Sequence, residues 1–177
     1  MESPLAIIGL ISDSHGSAGV TARAVAALVD AEPLDMLVHL GDIGSEQVID
    51  AMAVGLDAGG GLVPPVRIVF GNTDYDTASL SRYARTLGVI VDDIAGRLTL
   101  DGKTIVYTHG DRAQLVQDAL DEGVDYLLHG HTHRATDRRV GRTRVINPGA
   151  LHRASSYTAA LLDVAADRLR FVQVPKA

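Results

Sequence analysis

The stretch that decides the fold is LAIIGLISDSHG, residues 5–16. Its first seven residues are almost all aliphatic, which predicts a strand from Leu5 to Ile11 that is buried on both faces of a sheet. Asp13 and His15, two side chains of metal-ligand type, follow where this strand should end. Open parallel sheets place their ligands beyond the carboxyl ends of the strands. The stretch therefore predicts a parallel α/β sheet with a polar site at the end of its first strand.

A hydrophobic run followed by a polar cluster occurs twice more in the first half of the chain. The run from Met36 to Leu40 ends in Gly41-Asp42, and the run from Val66 to Phe70 ends in Gly71-Asn72-Thr73-Asp74. Apolar residues at helical spacing are found from Ser17 onward and around Glu46 to Val54. The resulting β-α-β-α-β order predicts parallel strands joined by right-handed crossovers.

The second half of the chain predicts a mixture of parallel and antiparallel strands. The predicted elements are a helix from Thr77 to Thr86, a strand from Val89 to Val91, a hairpin of Arg97–Leu100 and Thr104–Thr108 around Asp101-Gly102, a helix from Asp111 to Glu122 and a buried strand from Tyr126 to His129. Two closing hairpins are predicted to turn at Gly141 and near Ala166-Asp167. We therefore expect one α/β domain over residues 1–177, built as a two-sheet mixed β-sandwich flanked by helices.

Composition fits a globular protein and disfavours several functional classes. A chain of 177 residues with 46% hydrophobic residues is long enough to bury a core. The net charge of −6 disfavours strong binding to nucleic acid, and the absence of cysteine excludes thiolate metal sites. No run approaches the roughly 20 apolar residues of a membrane span, and no signal peptide is visible at the start. We expect a cytoplasmic protein without a membrane partner.

Seven residues of metal-ligand type stand in five short clusters, each after a predicted strand. They are Asp13 and His15, Asp42, Asn72, His109, and His131 and His133. Side chains at positions i and i+2 of extended backbone point the same way, so each of the two i, i+2 pairs is predicted to reach one ion. Asp42, whose carboxylate has two oxygens, is the candidate to bridge two ions. Imidazole, carboxylate and amide ligands suit Mn, Fe, Ni, Co or Zn better than Mg or Ca.

The alternative interpretation of these clusters is structural. A single histidine or aspartate near a strand end is more often a cap, a turn residue or a satisfied core group than a metal ligand. Five such clusters on one edge of one sheet are difficult to explain in that way. The sequence therefore favours a two-metal site for the hydrolysis of phosphate esters.

The order of the motifs also resembles a known family. The series Asp-x-His, Gly-Asp, Gly-Asn-x-Asp, His-Gly and Gly-His-Thr-His, at residues 13–15, 41–42, 71–74, 109–110 and 130–133, is similar to the calcineurin-like metallophosphoesterase superfamily. The short chain and Asn147-Pro148-Gly149 resemble its small single-domain bacterial and archaeal phosphodiesterases. The resemblance covers residues 7 to about 150, and it implies a four-layer α/β/β/α sandwich.

The resemblance implies two divalent ions per chain, with manganese as the first choice and Ni, Co, Fe or Zn as alternatives. One ion would be held by Asp13, His15, Asp42 and His133, and the other by Asp42, Asn72, His109 and His131. Two such ions bridge a water and lower its pKa toward about 7, which makes the bridging hydroxide the expected nucleophile and leaves no side chain assigned to that role. The resemblance also makes a homodimer or a homotetramer plausible.

One position departs from the family pattern. Many members carry a histidine after Gly-Asn, and the small members commonly a cysteine, whereas this chain has Thr73. A threonine hydroxyl is too weak an acid to protonate a departing alkoxide, so we expect a preference for activated or acidic leaving groups. Asp74 is an alternative acid, although a structural role is favoured for it. Asn72, Thr73 and Arg134 are the candidates for contact with the substrate.

Several further residues have more than one interpretation. His39 and His129 are predicted to orient ligands through hydrogen bonds rather than to bind metal. His152 is a surface candidate without an assigned role, and Asn147-Pro148-Gly149 is predicted to form a turn that supports the site. Residues 59–65, rich in glycine and proline, are interpreted as a flexible connection, with a mobile lid as the alternative.

The leading functional hypothesis is a metal-dependent phosphodiesterase acting on a small phosphodiester. A phosphomonoesterase or protein phosphatase is the nearest alternative, and Thr73 argues against it. A non-catalytic interaction module, like the retromer subunit that resembles this fold, is the alternative from another class. The complete set of ligand positions argues against that alternative.

Overall fold

The computed structural model describes residues 7–57 and 63–176, which form eleven strands and four helices. The helices are α1 (Ala18–Ala31), α2 (Glu46–Asp57), α3 (Thr77–Thr86) and α4 (Ala113–Glu122). The strands are β1 (Ile7–Ile11), β2 (Met36–His39), β3 (Val66–Ile68), β4 (Ile90–Val91), β5 (Ala95–Leu100), β6 (Lys103–Thr108), β7 (Tyr126–Leu128), β8 (Thr136–Val140), β9 (Thr143–Asn147), β10 (Tyr157–Asp163) and β11 (Arg168–Val174).

The predicted elements are present, and their ends differ from the predictions by no more than three residues within the described chain. The strand predicted to end at Phe70 already ends at Ile68, and the three predicted hairpins turn where the glycine and aspartate signals placed them. Residues 5 and 6 of the first predicted strand lie outside the described residues. The same holds for residues 59–62 of the segment interpreted as a connection or lid.

The strands form two mixed sheets. The six-stranded sheet has the order β11-β10-β1-β2-β3-β4, and the five-stranded sheet has the order β5-β6-β7-β9-β8. Strands β1 to β4 run parallel, with β10 antiparallel to β1, and β6, β7 and β9 run parallel in the second sheet. The polar clusters therefore leave the carboxyl ends of parallel strands in both sheets.

Three apolar layers hold the sandwich together. Ile8 and Leu10 of β1 pack between the sheets against Tyr107 and Leu128, while the alternating side chains of β1 face helices α1 to α3 on the outer side. Helix α4 covers the outer face of the five-stranded sheet. The expected fold class, a two-sheet mixed sandwich flanked by helices in α/β/β/α order, is confirmed. Among the helices of residues 7–57 and 63–176, none combines the length and apolarity needed to cross a bilayer.

A polar triad ties the two sheets together. Arg67 on β3 donates two hydrogen bonds to Asp92, at 2.9 and 2.8 Å, and the Tyr107 hydroxyl on β6 donates to Asp92 Oδ2 at 2.6 Å. Burial and the facing carboxylate raise the pKa of Tyr107 above its ordinary value. Gly96 on β5 leaves room for this ring, since a Cβ there would lie 2.0 Å from it. The triad fixes how β3 and β6, which both lead into the polar edge, lie relative to each other.

Candidate metal centre

The loops after β1, β2, β3, β6 and β7 meet at one edge of the sandwich. Within the six-stranded sheet, the Asp13 N–H donates to the Gly41 carbonyl at 3.0 Å and the His15 N–H donates to the Asp42 carbonyl at 2.9 Å. Between the sheets, the His131 N–H donates to Asp13 Oδ2 at 3.0 Å. The predicted site residues therefore belong to one hydrogen-bonded group of loops.

The backbone at the site is largely left-handed rather than extended. Nine described residues other than glycine have positive φ, and five of them are predicted metal ligands with φ between 44° and 68°. They are Asp13, His15, Asp42, His131 and His133. The prediction that the two i, i+2 pairs point together through extended backbone is therefore wrong, because both pairs lie in turns beyond the strand ends. Such conformations cost on the order of 1–3 kcal/mol each and persist only where surrounding contacts fix them.

Two glycines allow the loops to approach each other closely. A Cβ at Gly71 would lie 2.2 Å from Asp42 Oδ1, and a Cβ at Gly41 would lie 2.7 Å from His109 Nδ1. Real Cβ atoms do not reach such distances, so a larger residue at either position would displace a predicted ligand. Gly41 also has a φ of 97°, which favours glycine on conformational grounds.

Each of the two buried carboxylates uses one oxygen for the protein and turns the other toward the imidazoles. Asp13 Oδ2 accepts hydrogen bonds from the Ser12 hydroxyl at 2.6 Å and from the His131 N–H, and its Oδ1 has no hydrogen-bond partner. Asp42 Oδ1 accepts from the Thr73 N–H at 2.9 Å. The orientation of both groups is thereby fixed by neutral donors.

The imidazoles converge on the oxygens that remain. Asp42 Oδ2 lies 3.5 Å from His15 Nε2 and 3.3 Å from His109 Nε2. Asp13 Oδ1 lies 3.2 Å from His133 Nε2, 3.9 Å from His15 Nε2 and 4.0 Å from His109 Nε2. Nitrogen and oxygen atoms at these separations are close enough to bind the same cation.

Unpartnered buried atoms support a cation at this place. Five buried side-chain nitrogen or oxygen atoms in the described residues lack a hydrogen-bond partner, and three of them are Asp13 Oδ1, His15 Nε2 and His109 Nε2. Buried polar groups are normally satisfied, so three orphaned ligand-type atoms facing one another need a shared partner. The mixed imidazole and carboxylate set fits a divalent transition metal.

The charges of Asp42 and His109 depend on each other. Burial alone would raise the pKa of Asp42, but the facing imidazole of His109 and the hydrogen bond from the Thr73 N–H outweigh burial and hold this pKa well below its usual range. Burial alone would lower the pKa of His109, but Asp42 and the Leu40 carbonyl raise it above its ordinary value. The Nδ1–H of His109 donates to Leu40 at 2.8 Å, which leaves Nε2 to face Asp42. A divalent cation would compete with a proton for this nitrogen.

The grouping of the ligand atoms differs in part from the two expected sets. Asp13, His15 and His133 form one compact group, as the family pattern implies. The second compact group contains Asp13 together with Asp42 and His109, so both carboxylates stand between the imidazoles. His131 joins through its ring, whose centroid is 5.1 Å from that of His109. Asn72 is exposed on the loop after β3, next to the Thr73 N–H that holds Asp42.

Asp74 ties two loops of the site together. Its Oδ2 accepts hydrogen bonds from the N–H groups of Ile43 at 3.2 Å and Gly71 at 2.9 Å, and its Oδ1 accepts from Gly44 at 2.9 Å. The carboxylate is buried between the loops that carry Asp42 and Asn72. This geometry supports the structural interpretation of Asp74 over the role of an acid.

Other polar groups brace the site from behind. The Gly41 N–H donates to His39 Nδ1 at 3.2 Å, so the Nε2–H of His39 donates to Ser14 Oγ at 2.8 Å. Burial lowers the pKa of His39 to about 3, which keeps the ring neutral. Asn147 donates to the Gly130 carbonyl at 2.8 Å and supports the turn that carries His131. Both residues orient ligand loops, as the sequence indicated.

The remaining candidates occupy different places around the site. His129 is half-buried, and burial lowers its pKa. Arg134 is exposed and Thr73 half-buried. His152 is the residue that sequence reasoning left without a role: its ring centroid lies 5.1 Å from that of His15, and its Nδ1 lies 3.4 Å from Ser17 Oγ. Its only signal in the sequence was its position shortly after Asn147-Pro148-Gly149.

The imidazole and carboxylate cluster on the edge loops of this two-sheet sandwich defines a candidate site for divalent metal. The family model described as the calcineurin-like phosphoesterase superfamily domain matches residues 7–167. The chain therefore belongs to the calcineurin-like phosphoesterase superfamily.

Individual relatives agree with this assignment. A probable metallophosphoesterase of Methanocaldococcus jannaschii is 26% identical over 144 residues, which cover 81% of this chain and 67% of the relative. The solved structure of an archaeal phosphodiesterase is similar with a TM-score of 0.82 at 24% identity, covering 94% of this chain and 99% of that one. Vps29 of Entamoeba histolytica is similar with a TM-score of 0.59 at 16% identity, covering 94% and 98% of the two chains. Likeness at these identities shows a shared fold.

Proposed function

We propose that this protein is a phosphodiesterase that hydrolyses small phosphodiesters with two divalent metal ions, manganese being the first choice. The observation that carries the proposal is the position of Asp42 Oδ2, at 3.5 Å from His15 Nε2 and 3.3 Å from His109 Nε2. One carboxylate oxygen thus faces an imidazole from each of the two expected ligand sets. We assign Asp13, His15, Asp42, Asn72, His109, His131 and His133 as the metal ligands.

The protein groups prepare the site for an anionic ester. When bound, two divalent cations lower the pKa of water and neutralise charge that grows on the phosphoryl oxygens. Formally they outweigh the two carboxylates, so the mouth of the site attracts an anion although the chain is acidic. Asp13 and Asp42 are held in place by donors from the backbone and from Ser12 before any ligand arrives. Such preorganisation means that little rearrangement accompanies the reaction.

Thr73 sets the expected choice of substrate. It occupies the position after Asn72, its N–H is committed to Asp42, and its hydroxyl is a very weak acid. Because Asp74 is held by three backbone N–H groups, it is not positioned as a replacement acid. The enzyme should therefore turn over diesters with acidic leaving groups well and alkyl monoesters poorly.

The first test is the number of bound ions. We expect equilibrium dialysis to give two ions per chain for the wild type. For Asp42→Asn we expect fewer than two ions and a loss of activity of at least about 100-fold, since even outer groups around a metal contribute 10- to 100-fold. Asp101→Asn is the matched control, because Asp101 also has positive φ but lies on an exposed hairpin turn. Two tightly bound ions and full activity in Asp42→Asn would refute the assignment of Asp42.

The second test is a substrate panel. Apoprotein reconstituted with Mn, Ni, Co, Zn or Mg should hydrolyse aryl diesters faster than the matching monoesters, with rates that fall as the pKa of the leaving group rises. A flat dependence under conditions where the chemical step limits the rate would contradict the role given to Thr73. Faster turnover of monoesters would favour a phosphatase instead.

One observation supports the alternative of a non-catalytic interaction module. Similarity to Vps29 means that the fold alone does not separate an enzyme from an interaction module. Absence of bound metal and of hydrolysis in both tests would favour that class. The native metal and a homodimeric or homotetrameric state stay predictions.

A further inference from the structure

A cavity of about 350 Å³ opens beside the candidate metal centre, between the start of α2 and the loop before α3. The residues that line it include Gly44, Ser45, Glu46, Thr73, Tyr75 and Leu80. One wall adjoins the site through the Thr73 N–H, which donates to Asp42, and the opposite wall adjoins it through Gly44, which packs against the His15 backbone. Sites for small ligands occupy about 300–1,000 Å³, so the cavity is large enough for one substituent of an ester held at the centre.

Tyr75 is the most unusual residue of this cavity. Its side chain is 89% exposed, whereas a large aromatic side chain is normally buried to a considerable degree. The backbone on both sides of it is fixed. Asp74, which precedes it, accepts hydrogen bonds from three backbone N–H groups. Asp76, which follows it, caps α3 by accepting a hydrogen bond from the Ser79 N–H at 3.1 Å. The ring is therefore presented to solvent from a held backbone and offers a free face for stacking.

The charges around the cavity disfavour a second anion. The ionisable residues that line it are Glu46, Asp74, Tyr75 and Asp76, and none of the described lining residues is lysine or arginine. The guanidinium of Arg82 reaches only the rim, where it donates to Ser79 Oγ at 3.2 Å. A phosphate in the cavity would face carboxylates. A planar uncharged group that carries N–H or O–H donors would find an aromatic ring, apolar surface from Leu80 and acceptor oxygens.

We propose that the cavity beside Tyr75 binds a planar aromatic substituent of the phosphate ester, so that the enzyme selects esters with an aryl or nucleoside group. This inference rests on the proposed function, because it assumes that the phosphoryl group lies at the metal centre. Stacking of a base on an aromatic side chain corresponds to roughly 5- to 150-fold in affinity when that side chain is replaced by alanine. Tyr75 is open on its outer side, so about tenfold is expected.

The test compares equilibrium binding of methylphosphonate, phenylphosphonate and adenosine 5′-monophosphate to the metal-loaded protein by titration calorimetry. The three probes share a phosphoryl-type anion and differ in the attached group. For the wild type we expect phenylphosphonate to bind about tenfold more tightly than methylphosphonate. Tyr75→Ala should remove this difference without weakening methylphosphonate, and Tyr75→Phe should keep it. Phe171→Ala, which removes an exposed aromatic ring from β11, is the control and should also keep it.

The outcomes separate this inference from the proposed function. Equal binding of methylphosphonate and phenylphosphonate by the wild type, or an unchanged difference in Tyr75→Ala, would overturn the aromatic site while leaving the phosphoryl site intact. Failure of all three probes to bind would overturn both proposals, since the phosphoryl group would then have no site. Tighter binding of adenosine 5′-monophosphate than of phenylphosphonate would support the inference and identify a nucleoside ester, and the reverse order would support it and identify an aryl ester.

Discussion

Replacing Asp74 by asparagine tests whether this residue holds the site together or takes part in the chemistry. The carboxylate accepts two hydrogen bonds on Oδ2 and one on Oδ1, all from backbone N–H groups. Asparagine keeps one oxygen, so its better orientation retains the pair from Ile43 and Gly71 and turns an NH₂ group toward the Gly44 N–H. One hydrogen bond to a charged acceptor, of about 1.5–3 kcal/mol, is lost, and the other two become weaker neutral bonds. We expect Asp74→Asn to lower the free energy of unfolding by about 3 kcal/mol.

This loss is large beside the 5–15 kcal/mol that typically separates folded and unfolded domains. Urea unfolding followed by circular dichroism in the presence of a chelator measures it without a contribution from bound metal. Asp101→Asn, on an exposed turn, should change the free energy of unfolding by no more than about 0.5 kcal/mol. If Asp74→Asn is as stable as the wild type but has lost turnover together with the basic limb of its pH profile, the structural role is refuted and Asp74 is the acid.

Three further predictions concern the core, the supporting histidine and the metal. Gly96→Ala would place a Cβ 2.0 Å from the Tyr107 ring and should lower the free energy of unfolding by about 3 kcal/mol. Gly19→Ala on α1, where the nearest atom to the new Cβ would be 3.8 Å away, should raise the free energy of unfolding by about 0.5–1 kcal/mol. Urea unfolding measures both changes. The pKa of His39 is about 3 in the folded protein and near 6.5 in the unfolded chain, so the free energy of unfolding falls as pH falls through this window, by up to about 1.4 kcal/mol per pH unit. His39→Gln should therefore flatten the dependence of the free energy of unfolding on pH between pH ~6 and ~4.5 in the metal-free protein. Equal slopes in the variant and the wild type would contradict this. Since the pKa of His109 is raised, protons should begin to compete with metal at a pH above the ordinary histidine value of about 6.5, and metal affinity measured by calorimetry should decline from there as pH falls. An affinity that does not depend on pH would show that His109 Nε2 is not a ligand.

Local signals in the sequence were sufficient for the elements and for the edge where the site lies. Asp101-Gly102 illustrates this, because a turn with positive φ at both positions is what this dipeptide favours, and the structure has φ of 49° and 70° there. The aliphatic run of β1 predicted burial on both faces, and it feeds two apolar layers. Such features depend on a few neighbouring residues and on general rules for parallel sheets.

Features that depend on contacts between distant loops could not be obtained in this way. The left-handed backbone at Asp13 and His131 is held by hydrogen bonds between loops, and residue types that merely favour this conformation do not predict it at a given position. The approach of His152 to His15 requires the Leu151 N–H to lie near the Ser12 and Asp13 carbonyls, at 3.2 and 3.3 Å. Which of the four imidazoles each of the two carboxylates faces likewise follows from three-dimensional packing and not from spacing along the chain.

The pairing of β1 with β10 has a consequence for synthesis of the protein. β1 lies inside the six-stranded sheet only because Ile7 to Leu10 pair with Asp163 to Ala160. During translation β1 leaves the ribosome well before β10 and must wait for this partner. Until then it presents an open, aliphatic edge of the kind that pairs with other chains. A nascent chain of this topology is expected to fold slowly and to benefit from chaperones.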